Sequence, residues 1–200
     1  MAEPHRTTRL PREARRANFL DVAARLVAEG GVEAVTMEGV AAAAGVSKGL
    51  GYAYFTNADD LLLALLEREL GRLSRRIETA VGAADGYEGK TRAAIHSWFE
   101  AVAEHGPLLG QLMQANVGRG PAEEARKGYY RRMEDWWGAY AERELGAPKR
   151  QATIVAAIFI AGTRGLLERW VECREPRRVL EDTYVTAMMG ALAAVTAEKP

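Results

Sequence analysis

Cysteine is nearly absent from this 200-residue chain; Cys173 is the single one. An internal disulfide framework is excluded, and a lone thiol fits a reducing cytoplasm. Histidine is scarce as well, and His5, His96 and His105 lack metal-ligand spacing with one another or with Cys173. No stretch of eighteen apolar residues occurs, and the arginine-rich N-terminus has no apolar core of a signal peptide. Neither a membrane-spanning helix nor a secretory signal is expected. Sustained period-two alternation is missing, with valines scattered among alanines and leucines, so strands are not expected. Internal repeats, long low-complexity segments and Gly-rich phosphate loops are missing too, and no nucleophile elbow surrounds Ser47, Ser74 or Ser97. Catalytic residues, metal ligands and cofactors are therefore not expected, and the chain does not read as an enzyme. Net charge is also lacking: Lys plus Arg and Asp plus Glu number 27 each, so overall charge gives no argument for nucleic acid.

What is present is helix punctuation, in a chain long enough to bury a core and carry one or two domains. Pro11 suits the start of a first helix, and Phe19, Val22, Ala23, Leu26 and Val27 give it a one-sided apolar stripe before Gly30-Gly31 ends it. Thr36 can cap a short second helix that ends at Gly45, where a positive φ costs nothing. Val46 packs the turn, and Ser47 caps a third helix running to about Tyr54. Two short helices joined by a tight glycine turn make a helix-turn-helix, whose second helix can lie in the DNA major groove. The small residues Ala41 to Ala44 let those helices approach closely. Asn57 then caps a longer helix, with Asp59 and Asp60 at its positive end and Leu61, Leu62, Leu65, Leu66, Leu70, Leu73 and Ile77 carrying it to about Val81. Pro107, Pro121, Pro148 and Pro176 each open a new apolar period. They predict helices at about 88–105, 107–117, 121–145, 148–173 and 176–197. The expected fold is all-α: an N-terminal three-helix helix-turn-helix domain plus a C-terminal helical bundle, about nine helices in all.

The pieces Phe19-Leu20-Asp21-Val22-Ala23, Glu29-Gly30-Gly31-Val32-Glu33-Ala34-Val35-Thr36, Ala44-Gly45-Val46-Ser47-Lys48-Gly49, Tyr52-x-Tyr54-Phe55 and Asp60-Leu61-Leu62 stand in a fixed order. With that order and spacing, Arg15 to Leu66 resembles the DNA-binding domain of the TetR family of transcriptional regulators. The rest of the chain matches only in length and helical pattern. The resemblance implies a DNA-binding domain at 1–56 and a domain for effector binding and dimerisation at 57–200. It also implies that Ser47 to Tyr54 face DNA, with Thr36 opening the supporting helix.

The candidate contacts are Thr36, Ser47, Lys48, Gly49, Leu50, Tyr52 and Tyr54. Thr36 and Ser47 offer hydroxyls and free helix N-terminal N–H groups suited to phosphate oxygens. Lys48 can reach a guanine edge or a phosphate, and Tyr52, one turn on, lies on the same face. Tyr54 and Phe55 are also placed to anchor the reading helix to its neighbours. The chain departs from the family in having Leu50-Gly51-Tyr52 where Thr-Leu-Tyr is frequent, Ala53 where a larger residue is frequent, and Ala58 where lysine is frequent. Leu50 can only pack on a thymine methyl or sugar, and Gly49 and Gly51 each weaken the helix by about 1 kcal/mol relative to alanine. Shape and phosphate contacts are therefore expected to carry much of the affinity. Arg6, Arg9, Arg12, Arg15 and Arg16 face only Glu13 in the N-terminal stretch. That arm reads equally as a phosphate or minor-groove contact and as a solvated tail.

In the second domain Ala157, Ala161 and Gly165 recur every four residues, and Ala187, Ala191 and Ala194 repeat the device. Two such helices from each subunit can form a four-helix interface about a two-fold axis; tight packing inside one subunit is the alternative. Candidates for an effector pocket are Trp98, Met113, Trp136, Trp137, Tyr140, Phe159 and Arg164, an apolar lining with few polar anchors. Phe99, Leu112, Trp170 and His96 belong to the same wider set; aromatic and Met stripes at helical spacing are more often core than ligand box, and Arg164 and His96 more often satisfied structural polar residues.

The functional expectation is a homodimeric, cytoplasmic, DNA-binding transcriptional regulator, a repressor released from a palindromic operator by a small, largely apolar ligand. The alternatives are a constitutive or architectural helix-turn-helix protein without effector, and a helical scaffold or enzyme with a coincidental hairpin.

Overall fold

In the computed structural model, residues 11–114 and 121–197 are described, and all their regular secondary structure is helical. The helices are α1 (Arg12–Gly30), α2 (Met37–Ala43), α3 (Lys48–Tyr52), α4 (Ala58–Gly82), α5 (Gly86–Gln114), α6 (Pro121–Leu145), α7 (Lys149–Val171) and α8 (Arg177–Ala197), with one 3-10 turn at Val32–Ala34. Among the described residues no strand occurs, and no helix is long and apolar enough to cross a membrane. His5, Arg6 and Arg9, and the side chain of Met113, lie outside the described residues.

The chain divides into two compact units. The first runs through Arg68 and also takes the segment from Pro107; the second comprises Glu69–Gly106 and the C-terminal helices. The division drawn from the sequence, at residue 56, leaves the first turns of α4 with the second domain, whereas here they belong to the first unit. In that unit Phe19, Leu20, Val22, Ala23 and Val27 of α1 are buried, as are Val40 and Ala41 of α2, Phe55, and Leu61, Leu65 and Leu66 of α4. The Arg68 guanidinium, mostly buried, donates to Asp21 Oδ1 at 2.7 Å and to the Leu20 carbonyl at 3.4 Å, tying α4 to α1. The start of α4 is fixed reciprocally: the Asp60 N–H donates to Asn57 Oδ1 at 2.8 Å, and the Asp60 carboxylate accepts from the Thr56 N–H at 2.8 Å.

The second unit layers α6 on α7 and α7 on α8. A core of Ile95, Phe99, Leu180 and Val185 draws α5 and α8 together, with Trp98, Leu166 and Trp170 packed against it. Gly138 faces Thr153 across the α6–α7 contact, and a Cβ there would sit 3.0 Å from the Thr153 Cα and closer still to its hydroxyl. This approach leaves no room for a side chain.

Prolines open helices as expected, though three stand one residue earlier than the first helical position. Pro11, Pro148 and Pro176 immediately precede α1, α7 and α8, while Pro121 is the first residue of α6. Pro107 differs. Two helices were expected to break there, yet α5 runs unbroken from Gly86 to Gln114. Proline removes one N–H and crowds the residue before it; that residue is Gly106, which has no Cβ to clash.

Replacing Gly138 by alanine tests the α6–α7 approach. Alanine stabilises an exposed helix interior by about 1 kcal/mol over glycine. Here overpacking against Thr153 is expected to reverse the sign and cost about 1–3 kcal/mol, read as a lower thermal or urea midpoint. A raised midpoint in Gly138→Ala would show that the helices are not in that contact.

Candidate functional site

Thr36 caps α2 by accepting from the Gly39 N–H at 3.0 Å. After Ala43 the chain reverses at Gly45, φ 68°, with the Gly45 N–H on the Ala42 carbonyl at 3.0 Å and the Val46 N–H on the Ala41 carbonyl at 3.0 Å. This paired closure needs a residue in the left-handed region, which glycine adopts without a Cβ penalty. Ser47 then caps α3, accepting from the Leu50 N–H at 3.4 Å. Of the four alanines expected between the helices, only Ala41 is buried; Ala42 and Ala43 face outward. The approach is made by Gly51, whose position lies 3.5 Å from Met37 Cε and 3.8 Å from Ala41 Cβ for an added methyl.

The regular part of α3 stops at Tyr52, two residues short of the expected end, and Ala53-Tyr54 continue as a turn. The turn aims Tyr54 and Phe55 at α1. Phe19 meets the Tyr54 ring at 5.4 Å and the Phe55 ring edge-on at 6.2 Å. On the outer side of the same rings, the Arg12 guanidinium lies 6.0 Å from Tyr54 and that of Arg16 lies 5.3 Å from Phe55. Tyr54 is thus half-buried, a joint between α1 and α3, with cationic groups beside it.

The outward face of this motif carries Thr36, Ser47, Lys48, Gly49 and Tyr52, all exposed, with Leu50 half-buried. Tyr52 keeps 45% of its surface in solvent. Lys48 Nζ lies 5.7 Å from the Tyr52 ring and forms an ion pair with Glu38 of α2. The hydrogen bond to Lys48 holds the Glu38 carboxyl below the usual carboxylate range, and the same contact holds the Lys48 ammonium above its ordinary value. Glu38 was not among the candidates. Its signal in the sequence is an acid in the first turn after a threonine cap, on the helix that packs beside the one Lys48 opens.

In the second unit the expected pocket residues fall into separate groups. Trp136, Trp137 and Tyr140 are brought together, with Trp136 4.9 Å from Trp137 and 4.8 Å from Tyr140. Trp137 is buried against Tyr87 at 5.6 Å, and Trp136 is half-buried beside it, as adjacent positions on one helix require. Trp98 stands with Phe99 and Trp170 in the α5–α8 core, and Phe159 stacks edge-on to Tyr184 at 5.3 Å. The Arg164 side chain is 87% exposed and pairs with Glu168 at 3.0 Å, so it points away from any interior. His96 Nδ1 has one partner for either tautomer: protonated it donates to Glu181 Oε2 at 3.3 Å, unprotonated it accepts from Arg177 Nη2 at 3.0 Å. A cleft of about 380 Å³ is lined by Leu145, Met189, Ala193, Thr196 and Ala197, none of them an expected pocket residue. The Tyr87 hydroxyl is buried without a hydrogen-bond partner, and burial pushes its pKa well above the ordinary phenol value.

The small-residue stripes lie at the surface of the second unit. Ala161, Gly165, Ala187 and Ala194 are exposed and Ala157 and Ala191 half-buried. On α7 the exposed Ile154 and Ile158 continue the Ala161–Gly165 face, and on α8 Val179 is 52% exposed.

Comparison with known proteins matches residues 19–65 to the bacterial regulatory proteins of the tetR family. Over 100 residues the chain is 33% identical to the HTH-type transcriptional activator FasR of Mycolicibacterium smegmatis, covering 50% of this chain and 45% of that protein. Over 116 residues it is 29% identical to the fatty acid metabolism regulator protein of Bacillus subtilis, covering 56% and 60%. The chain thus matches about half the length of these curated relatives. A tetR-family transcriptional regulator from Streptomyces coelicolor shares the fold, with a TM-score of 0.75 at 22% identity over 95% of this chain and 85% of that one.

The two glycines of α3 generate a prediction. An added methyl at Gly49 meets nothing within 4 Å, so Gly49→Ala should stabilise α3 by up to about 1 kcal/mol. Amide exchange across residues 47–54 should be fast in the free protein and slower in Gly49→Ala. Strong protection in the unmodified protein would remove the claim.

Proposed function

We propose, from the match of residues 19–65 to the tetR family of bacterial regulatory proteins, that this chain is a homodimeric, DNA-binding transcriptional regulator. One observation carries the reading: a helix capped by Ser47 turns Lys48 and Tyr52 outward while Tyr54 and Phe55 hold it to α1. An outward lysine and tyrosine beside the exposed capping hydroxyls of Thr36 and Ser47, each still able to donate its O–H, and the Arg12 and Arg16 guanidinia suit a groove wall: phosphate on the rim, base edges at Lys48. Thr36, Ser47, Gly49, Leu50 and Tyr54 complete the contact set. The relatives named above are transcriptional regulators, which supports the same assignment.

The dimer would form through α7 and α8. Ile154 and Ile158 are 51% and 62% exposed, on a face continued by small residues that lets a second helix approach. Burying such side chains fully stabilises by about 1.5–3 kcal/mol each. Two reading heads related by a two-fold axis want a near-palindromic operator, with half-sites about 34–36 Å apart or somewhat more.

We read the mode as repression relieved by a small, largely apolar ligand in the second unit. Half-buried Trp136 and Tyr140 supply apolar surface there, and the unpartnered Tyr87 hydroxyl supplies a donor that an acceptor on the ligand would satisfy. Ligand would lower DNA affinity by its differential binding to two states of the dimer. A constitutive DNA binder without effector is the second reading, favoured by the separation of Trp98 and Phe159 from the Trp136 group.

Selection of bound sequences from random duplex DNA tests the assignment: an inverted repeat is expected, and recovery of no preferred sequence would overturn it. Thermal-shift screening against apolar compounds separates the two modes, since a constitutive binder gives no shift. Ile158→Glu should convert the dimer to a helical monomer in size-exclusion light scattering and weaken DNA binding.

A further inference from the structure

The Glu38–Lys48 pair sits where the reading helix would meet DNA, and its two partners have complementary roles there. Glu38 is on the exposed side of the first turn of α2, and Lys48 opens α3; their side chains are 55% and 59% exposed. Lys48 is the single cation among the five residues of α3. Paired as it is, α3 presents no uncompensated positive charge at its outer end. This is a poor arrangement for gripping phosphate at random. A phosphate drawing Lys48 away leaves the Glu38 carboxylate beside the negatively charged backbone, without its partner.

A G·C pair in the major groove differs. It offers O6 and N7 of guanine as acceptors for an ammonium, and the N4 amino group of the paired cytosine as a donor for a carboxylate. One base pair therefore satisfies both members of the ion pair, with no charge left exposed to phosphate. An exposed ion pair of this kind is weak, so a base pair able to satisfy both groups can open it. The Tyr52 ring, 5.7 Å from Lys48 Nζ, keeps the ammonium on the outward side of α3 when the carboxylate is drawn away.

We infer that Glu38 is a specificity residue of this DNA face, reading a G·C pair jointly with Lys48 and disfavouring binding to non-specific duplex. The inference rests on the DNA-binding assignment above.

The test uses the full chain, a selected duplex, the same duplex with its G·C pairs changed singly to A·T, and a random-sequence duplex. Binding is measured over a range of salt for the unmodified protein, Glu38→Gln, Lys48→Gln and the double variant. Glu38→Gln should bind the random duplex several-fold more tightly, with a log–log salt slope steeper by about 0.9, one extra cation's worth. Its preference for G·C at one position of each half-site should fall. Lys48→Gln should lose the same base preference, and adding Glu38→Gln to it should change little. Unchanged salt slope and base preference in Glu38→Gln, or an undiminished effect in the Lys48→Gln background, would overturn the inference while leaving the regulator assignment standing. Failure of the unmodified protein to bind any duplex overturns both.

Discussion

Everything at the reading head depends on the reversal at Gly45. The chain leaves α2, takes φ 68° at one residue and returns as α3 within four positions, so the two helices must cross almost in contact. Small groups line the crossing. Ala41 and Gly51 supply them, with the Met37 side chain filling what remains. A left-handed turn at one end and a close contact of small groups at the other fix the angle of α3, and that angle decides which side chains point outward. Lys48 and Tyr52 are exposed because Gly51 faces inward.

A second constraint is electrostatic. The chain carries as many acids as bases, and two ion pairs stand within the first unit: Asp21 with Arg68 and Glu38 with Lys48. The cations that stack on rings instead are Arg12 and Arg16, at the edge where α1 meets the tail of α3. Stacking orients a guanidinium without neutralising it, whereas an ion pair does neutralise. Among the described residues, the charge left without an acid partner beside the motif is thus on α1, while the one cation of α3 is paired.

Much of this was legible in the sequence because caps and positive-φ turns are local. Thr36, Ser47 and Asn57 announce helix starts through their own side chains, and Gly45 announces a stop, so α2, α3 and the start of α4 sit where expected. Pro107 misled because a proline inside an apolar period is a common, not a necessary, helix end, and a preceding glycine lacks the Cβ that otherwise adds to the crowding. The pocket set fared differently: helical spacing says which residues share a face, not which faces meet. Trp98, Phe159 and Trp136 are each on apolar faces, yet α5, α7 and α6 turn them to different neighbours. Arg164 looked interior only because its sequence neighbours are apolar, and Glu168, one turn on, draws it outward. Glu38 was invisible for the same reason, since its partner lies ten positions away across a turn whose angle had to be known first.

The two glycines of α3 separate two physical causes that the sequence alone merges. At Gly51 an alanine methyl would touch Met37 and Ala41 at ordinary contact distance, so the small residue there serves the packing of α2 on α3. At Gly49 nothing within the chain comes near. Its helix-weakening effect is not offset by any internal contact, and its position is on the outward face between Lys48 and Leu50. A backbone bare at that point lets another surface approach closer than any side chain allows. The packing of α2 on α3 accounts for a small residue at the inner position; no contact among the described residues explains the outer glycine.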